Sequence, residues 1–240
     1  MTHTKSQAGT KEVAEIYKDG TYLEKNKTWH IEDSAWKAKQ IKNILSRNNI
    51  QPNSVCEVGC GAGEILVQLS TTMPNTDFVG YELSPQAFEY CKARESEKVR
   101  YHLRNILEED VLFDCLLCID VLEHVEDYMG FVRSLKSKSE QKVFHIPLDI
   151  SVLSILRGSM MSERLSVGHL HYFTLETALA TLKDSGYEIV DYFYTASFDE
   201  LPSKTWKGKI ARLPRKVLFY FSPDFMVRLF GGCSLLVLAK

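Results

Sequence analysis

The sequence predicts an α/β protein: a mainly parallel, doubly wound sheet of seven strands, with an N-terminal helical cap and a helical insertion between the last two strands. Three observations carry that reading. Short β-branched and apolar runs alternate with helical patterns along most of the chain, the order that winds a parallel sheet. The run Phe113-Asp114-Cys115-Leu116-Leu117-Cys118-Ile119-Asp120 is almost continuously apolar, as a central parallel strand covered on both faces must be. The stretch Ser54–Leu66 passes from an apolar run ending in an acid, through glycines at alternate positions 59, 61 and 63, into a helical pattern. That is a buried strand entering a turn too tight for a Cβ, with a ligand lying against the backbone.

Composition narrows the class. A chain of 240 residues allows one large domain, or one domain with an appendage. With 45% apolar and 25% charged residues it can bury a proper core, and a net charge of −2 gives no global pull toward nucleic acid. Cys115-x-x-Cys118 lies in a strand pattern, where positions three apart face opposite ways, so the pair reads as buried hydrophobes rather than a metal or redox site. The N-terminus lacks the apolar core of a signal peptide, and no apolar run approaches the roughly 18 residues of a spanning helix. A cytoplasmic protein is expected.

In order, residues 1–50 form the cap segment and a first helix, rich in aromatics (Trp29, Trp36) with His30 among them. Asp33-Ser34 offers an N-cap for a helix over Ala35–Asn48, with Trp36, Ile41, Ile44 and Leu45 on one face. The core spans 51–197. After the glycine turn and the helix Glu64–Ser70, a second strand over 77–83 ends at Glu82, and Ser84-Pro85 opens the next helix as cap and first residue. A carboxylate at that strand end, about 20 residues past a glycine turn, suits both hydroxyls of a ribose. The third strand is Val99–Leu103, the fifth Lys142–Ile146, the sixth Tyr187–Thr195 and the seventh Cys233–Ala239, so residues 233–240 return to the core. Thr174 caps a helix that Gly186 closes.

Residues 198–232 are too many for a hairpin between the last two strands. They begin with a basic stretch (Lys204, Lys207, Lys209, Arg212, Arg215, Lys216) and continue with apolar, aromatic runs. A small helical cap packed on the core is one reading. Contact between 203–230 and a membrane surface or a lipid-linked, anionic substrate is the other.

The glycine turn discriminates among nucleotide binders. A dinucleotide fingerprint needs glycine where Glu64 stands, and a P-loop needs a Lys-Ser/Thr pair that is absent. What remains, Glu57-x-Gly59-x-Gly61-x-Gly63, resembles the first motif of the class I, Rossmann-like S-adenosylmethionine-dependent methyltransferases. The post-strand sequence Asp120-Val121-Leu122-Glu123-His124 resembles that of their small-molecule branch, typified by the ubiquinone-biosynthesis O-methyltransferases. No N-P-P-Y-type tetrad follows the fourth strand and no RNA-binding appendage is present, so amino methylation of DNA bases or glutamine and an RNA substrate are not expected.

The resemblance implies S-adenosylmethionine as cofactor, held by Glu57, Gly59, Cys60, Gly61, Gly63, Glu82, Leu83, Asn105, Ile106 and Asp120. Asn105 stands where the family usually has an acid; its amide oxygen would take the adenine amino group, with Ile106 against the ring. Trp29, His30, Trp36, His169, His171 and Tyr172 are expected against the substrate, a small molecule methylated at a hydroxyl oxygen. His124 is the first choice for the base, with Glu123 and His145 beside it. His169 and His171 have the spacing of one face of an extended segment. Together with Glu123 and His124 they form a weaker candidate set for a divalent ion; no metal is expected. A non-catalytic cofactor-binding or scaffold protein of the same fold, and more remotely a dehydrogenase, are the rival readings.

Overall fold

The computed structural model describes residues 31–201 and 206–240, the second stretch with side chains from 212 onward. Trp29, His30 and Lys204 lie outside the described residues, as do the side chains of Lys207 and Lys209. The strands are β1 (Ser54–Val58), β2 (Asp77–Glu82), β3 (Val99–Leu103), β4 (Phe113–Ile119), β5 (Ser139–Pro147), β6 (Ile189–Thr195) and β7 (Ser234–Ala239). They form one sheet in the order β3-β2-β1-β4-β5-β7-β6. β7 runs antiparallel to both β5 and β6, and the other neighbours are parallel. The strand order reverses between β1 and β4, the place where an open α/β sheet opens a crevice at its carboxyl edge.

Helix α1 (Ile31–Arg47) already includes Asp33 and Ser34. Asp33 and Ser34 therefore lie in its first turn instead of capping it; the acids Glu32 and Asp33 favour that end of the helix dipole. Ile41, Ile44 and Leu45 are buried, and α1 packs on α2 (Glu64–Thr72), β6 and β7. Ser84 caps α3 (Pro85–Lys92), its side chain accepting from the N–H of Ala87. Asp127 likewise caps α4 (Tyr128–Ser134).

Between β5 and β6 the chain adds two short helices that the sequence pattern does not announce, α5 (Val152–Arg157) and α6 (Ser159–Ser166), hinged at Gly158. Neither buries a residue. A capping box of Thr174 and Thr177 starts α7 (Leu175–Asp184), which Gly186 follows at φ +87°.

The insertion folds as α8 (Ser197–Glu200), α9 (Trp206–Phe221) and α10 (Pro223–Phe230). Met226 and Val227 of α10 are buried in the core, and α10 packs on α5. Its basic residues pin it down: Arg212 donates to the Leu201 carbonyl (2.6 Å), Arg215 to that of Phe230 (3.3 Å), and Lys216 pairs with Asp199 (2.7 Å).

The sheet separates two apolar layers. Cys118, Phe144 and Val237 face one, Cys115, Val143 and Leu236 the other. Cys115 and Cys118 thus point to opposite sides, and burial pushes the Cys115 thiol up to about 12, leaving it inert.

Candidate active site

The carboxyl ends of β1, β2 and β4 bring Glu57, Glu82 and Asp120 to one cavity of about 860 Å³. The turn after β1 makes the first wall. Gly59 stands at φ +65°, and a Cβ there would meet Val121 Cγ2 at 2.9 Å. The N–H groups of Gly59 and Cys60 both donate to the Tyr81 carbonyl (2.8 and 3.1 Å), folding the turn over β2. Glu82 locks the arrangement. Its carboxylate accepts from the N–H groups of Gly61 (2.8 Å), Leu83 (2.8 Å) and Ser84 (2.7 Å). Burial pushes this carboxyl up, and the three donors only partly offset it.

Two buried polar atoms on this side of the cavity have no hydrogen-bond partner among the described residues, Glu57 Oε2 and Trp36 Nε1. Both residues line the cavity. Burial drives the Glu57 carboxyl well up. An orphaned buried acceptor and donor at a cavity wall call for a ligand carrying both functions. S-adenosylmethionine has an ammonium, a carboxylate and ribose hydroxyls, so the residues present fit it.

Asn105 is placed at the wall, but its Oδ1 already accepts from the N–H of Leu107 (3.1 Å) as cap of the short turn Ile106–Glu108. One lone pair of that oxygen is committed to the turn, which the sequence reading had left for adenine.

Asp120 anchors the centre. It holds φ +54°, uncommon for a non-glycine residue. Its carboxylate receives Lys37 Nζ at 2.8 Å on one oxygen and His145 Nδ1 at 2.6 Å on the other. His145 is spent twice, since its Nε2 meets Thr195 Oγ1 at 2.8 Å. Burial alone would raise the Asp120 carboxyl, but His145 and Lys37 hold it far below the usual range. Burial pulls the Lys37 ammonium down, and Asp120 more than reverses that, so it ends above its ordinary value.

Past Asp120 the turn Leu122–His124 lines the same cavity. Glu123 is almost fully buried; burial, then the Asp120 charge, push its carboxyl well up. Burial and the neighbouring His169 pull His124 down to about 4. The His124 and His169 rings stand edge to face at 4.9 Å. Ligand atoms of Glu123, His124 and His169 lie within 4.8 Å of one another.

Three residues named from the sequence stand off the cavity wall. Gly63 lacks a Cβ on account of Tyr101, whose ring a Cβ would meet at 2.5 Å and whose hydroxyl donates to the Gly63 carbonyl (2.6 Å). His171 and Tyr172 do not share a face with His169, because residues 167–173 form an irregular segment rather than a strand. The His171 ring lies against Tyr128, with Nε2 on the Val125 carbonyl (2.9 Å). Tyr172 donates to the carbonyls of Met160 and His169. Lys37 and Asp149, which the sequence reading missed, carry charge to the site. Lys37 sits one position past Trp36 on a helix whose apolar face alone was read, and Asp149 follows a strand end with no pattern to mark it.

A family model described as a methyltransferase domain matches residues 29–192. A ubiquinone biosynthesis O-methyltransferase of Rickettsia typhi is 30% identical over 116 residues, which is 47% of this chain and 44% of that enzyme. The chain thus spans under half the length of that relative. A tRNA U34 carboxymethyltransferase of Sulfurimonas denitrificans is 25% identical over 202 residues, 78% of this chain and 64% of that enzyme. Among solved structures, magnesium protoporphyrin IX methyltransferase of Synechocystis PCC 6803 with bound SAM superposes with a TM-score of 0.61 at 13% identity, covering 98% of this chain and 99% of that one. That likeness shows the fold. With more than half of its length matched by the family model and the glycine turn, Glu82 and the Asp120 edge arranged around one cavity, the chain belongs to the methyltransferase-domain family, among the class I S-adenosylmethionine-dependent methyltransferases.

Proposed function

We propose that this protein transfers a methyl group from S-adenosylmethionine to a hydroxyl oxygen of a small molecule. The observation that carries the reading is one cavity that joins the Gly59–Glu82 wall to the Glu123, His124 and His169 end. When bound, the cofactor supplies an activated methyl group on a sulfonium. The chain's own residues then do three things. Glu82 and the turn it braces orient the ribose; Glu57 and Trp36 offer one acceptor and one donor to the amino-acid end. The Asp120–Lys37–His145 group fixes the floor between the two halves, and holding the acceptor in line can contribute roughly 7–11 kcal/mol.

The wall's charge favours a small, non-anionic acceptor. Among the described residues, eight acidic side chains and two cations, Lys37 and Arg104, line the cavity. Lys37 is committed to Asp120, and Arg104 to Glu109 at 3.3 Å. A polyanion such as the tRNA that one relative is named for would find both of these cations already paired. We further place the enzyme at a bilayer surface: the exposed apolar side chains of α5, α6, α9 and α10 supply the contact, and no helix among the described residues is long and apolar enough to cross a membrane.

Calorimetric titration with S-adenosylmethionine, S-adenosylhomocysteine and NAD tests the first step. Binding of both adenosyl ligands and not of NAD is expected, with Glu82→Ala weakening it tenfold or more. Absence of adenosyl binding would sink the reading. Binding without transfer to any of a panel of hydroxylated acceptors would move the scaffold alternative to the front.

A further inference from the structure

We propose that His169, oriented by Asp149, is the group that takes the proton from the acceptor hydroxyl; the inference rests on the methyl-transfer reading above. Among the described residues three histidines line the cavity, and their hydrogen bonds separate them. His145 has both ring nitrogens engaged, by Asp120 and by Thr195, so neither is open to an acceptor hydroxyl. His124 places Nδ1 at 3.3 Å from the Gly168 carbonyl and Nε2 at 3.8 Å from Glu123. Deep burial makes it a weak base at neutral pH.

His169 is arranged differently. Its Nδ1 lies 2.7 Å from Asp149 Oδ2. A carboxylate can only accept, so Nδ1 carries a proton, and in the neutral ring the lone pair is then on Nε2. A carboxylate behind an imidazole in this way fixes both tautomer and ring orientation. The segment that carries the ring is also tied down. The N–H groups of Leu170 and His171 donate to the Glu123 carbonyl (2.7 and 3.2 Å), and Tyr172 donates to the carbonyl of His169 itself. The groups around it are Asp149 behind, His124 edge-on, Glu123 below and Glu163 of α6 on the same wall.

In the step, the acceptor O–H bond breaks toward His169 Nε2 as the oxygen lone pair forms the O–CH₃ bond. The methyl–sulfur bond breaks with its electron pair returning to sulfur. The imidazolium, held by Asp149, then gives its proton to water. His169 is the catalytic residue and Asp149 the positioning residue.

The test has a spectroscopic arm and a kinetic arm. With ¹⁵N-histidine-labelled protein, long-range ¹H–¹⁵N spectra should show His169 as the Nδ1–H tautomer in wild type and as Nε2–H in Asp149→Asn. A wild-type ring in the Nε2–H form overturns the proposal, whatever the activity. For the kinetic arm the probes are catechol and 4-nitrocatechol, the latter ionised near neutral pH. His169→Ala should lose about 10²- to 10⁴-fold in kcat on catechol and clearly less on 4-nitrocatechol, with S-adenosylhomocysteine affinity unchanged. Asp149→Asn should lower kcat without raising KM for catechol, and Asp149→Glu should restore part of it. If His124→Ala loses as much as His169→Ala, or if EDTA abolishes transfer and magnesium restores it, the assignment falls. A wild type that binds no adenosyl ligand fails the methyl-transfer reading instead, and the spectra still decide the tautomer.

Discussion

His124 shows how a single side chain can report its surroundings. Burial and the adjacent His169 hold it at about 4, against roughly 6.5 for the ring in an unfolded chain. The sign follows from which state binds the proton. Above about pH 6.5 neither state carries it, and the ring contributes nothing to pH dependence. As pH falls from there toward 4 the unfolded chain binds the proton and the native one does not, so native stability is lost. At about 1.4 kcal/mol per pH unit the loss reaches roughly 3 kcal/mol. Glu57 and Glu123, whose carboxyls burial pushes up, act in the opposite sense above the ordinary carboxylate range. The measurement is therefore a difference: urea unfolding of wild type and of His124→Asn at pH 7, 5.5 and 4. The stability of wild type relative to the variant should fall by about 2–3 kcal/mol across that range. A constant difference would place the ring in solvent.

The glycine turn between β1 and α2 is an element whose chemistry was legible and whose packing was not. Three glycines at alternate positions require positive φ, and all three have it. Which neighbour excludes a Cβ depends on β3 and on the turn after β4, and no local pattern reveals that. At Gly59 the neighbour is Val121, just past β4; at Gly63 it is Tyr101 of β3. Gly63→Ala should therefore cost about 2–5 kcal/mol, from left-handed backbone strain plus overpacking. Opening the space with Tyr101→Ala should make the double variant less destabilised than the sum of the singles by at least about 1 kcal/mol. Additive losses in chemical unfolding would show that the ring is not the obstacle. The same split between local and distant information runs through the chain. Ser84-Pro85, Thr174 and the apolar run of β4 are local signals, and they appear where the sequence places them. Helices α5 and α6 are too short for a helical period to stand out, and the apolar residues Val152, Ile155 and Leu156 of α5 are exposed instead of marking a core face. The pairing of His169 with Asp149 joins residues brought together only by the path of that segment.

At the scale of the whole molecule, the cavity wall runs into the end of α6, which like α5 buries no residue. Glu163 and Val167 at the end of α6 belong to the cavity wall, while Leu156 (79% exposed) and Leu165 (68%) on the same two helices face outward. Helix α10 connects that surface to α9, where Tyr220 (83%) and Phe221 (78%) are also exposed. Leaving so many large apolar side chains in water is costly for a monomer, each forfeiting up to roughly 1.5–3 kcal/mol of burial. Charge sorts the possible occupants. Arg157 and Arg164 stand exposed among the apolar residues of α5 and α6, whereas Arg212, Arg215 and Lys216 of the insertion are engaged by Leu201, Phe230 and Asp199, and Arg228 by Glu176. An apolar rim with a few cations suits partial insertion into an anionic bilayer, from which a membrane-borne acceptor could enter the cavity laterally. Co-sedimentation with vesicles containing phosphatidylglycerol should carry the wild type down, more weakly when the vesicles are pure phosphatidylcholine. Leu156→Ser with Leu165→Ser, and Tyr220→Ser with Phe221→Ser, should each lower the partition coefficient about tenfold, since two interfacial side chains at roughly 0.7 kcal/mol apiece amount to one factor of ten. These residues bury little in the fold, so circular dichroism melting should be unchanged in both variants. Sedimentation that survives both substitutions would assign the membrane contact elsewhere, and none in the wild type would leave the exposed rim to a protein partner.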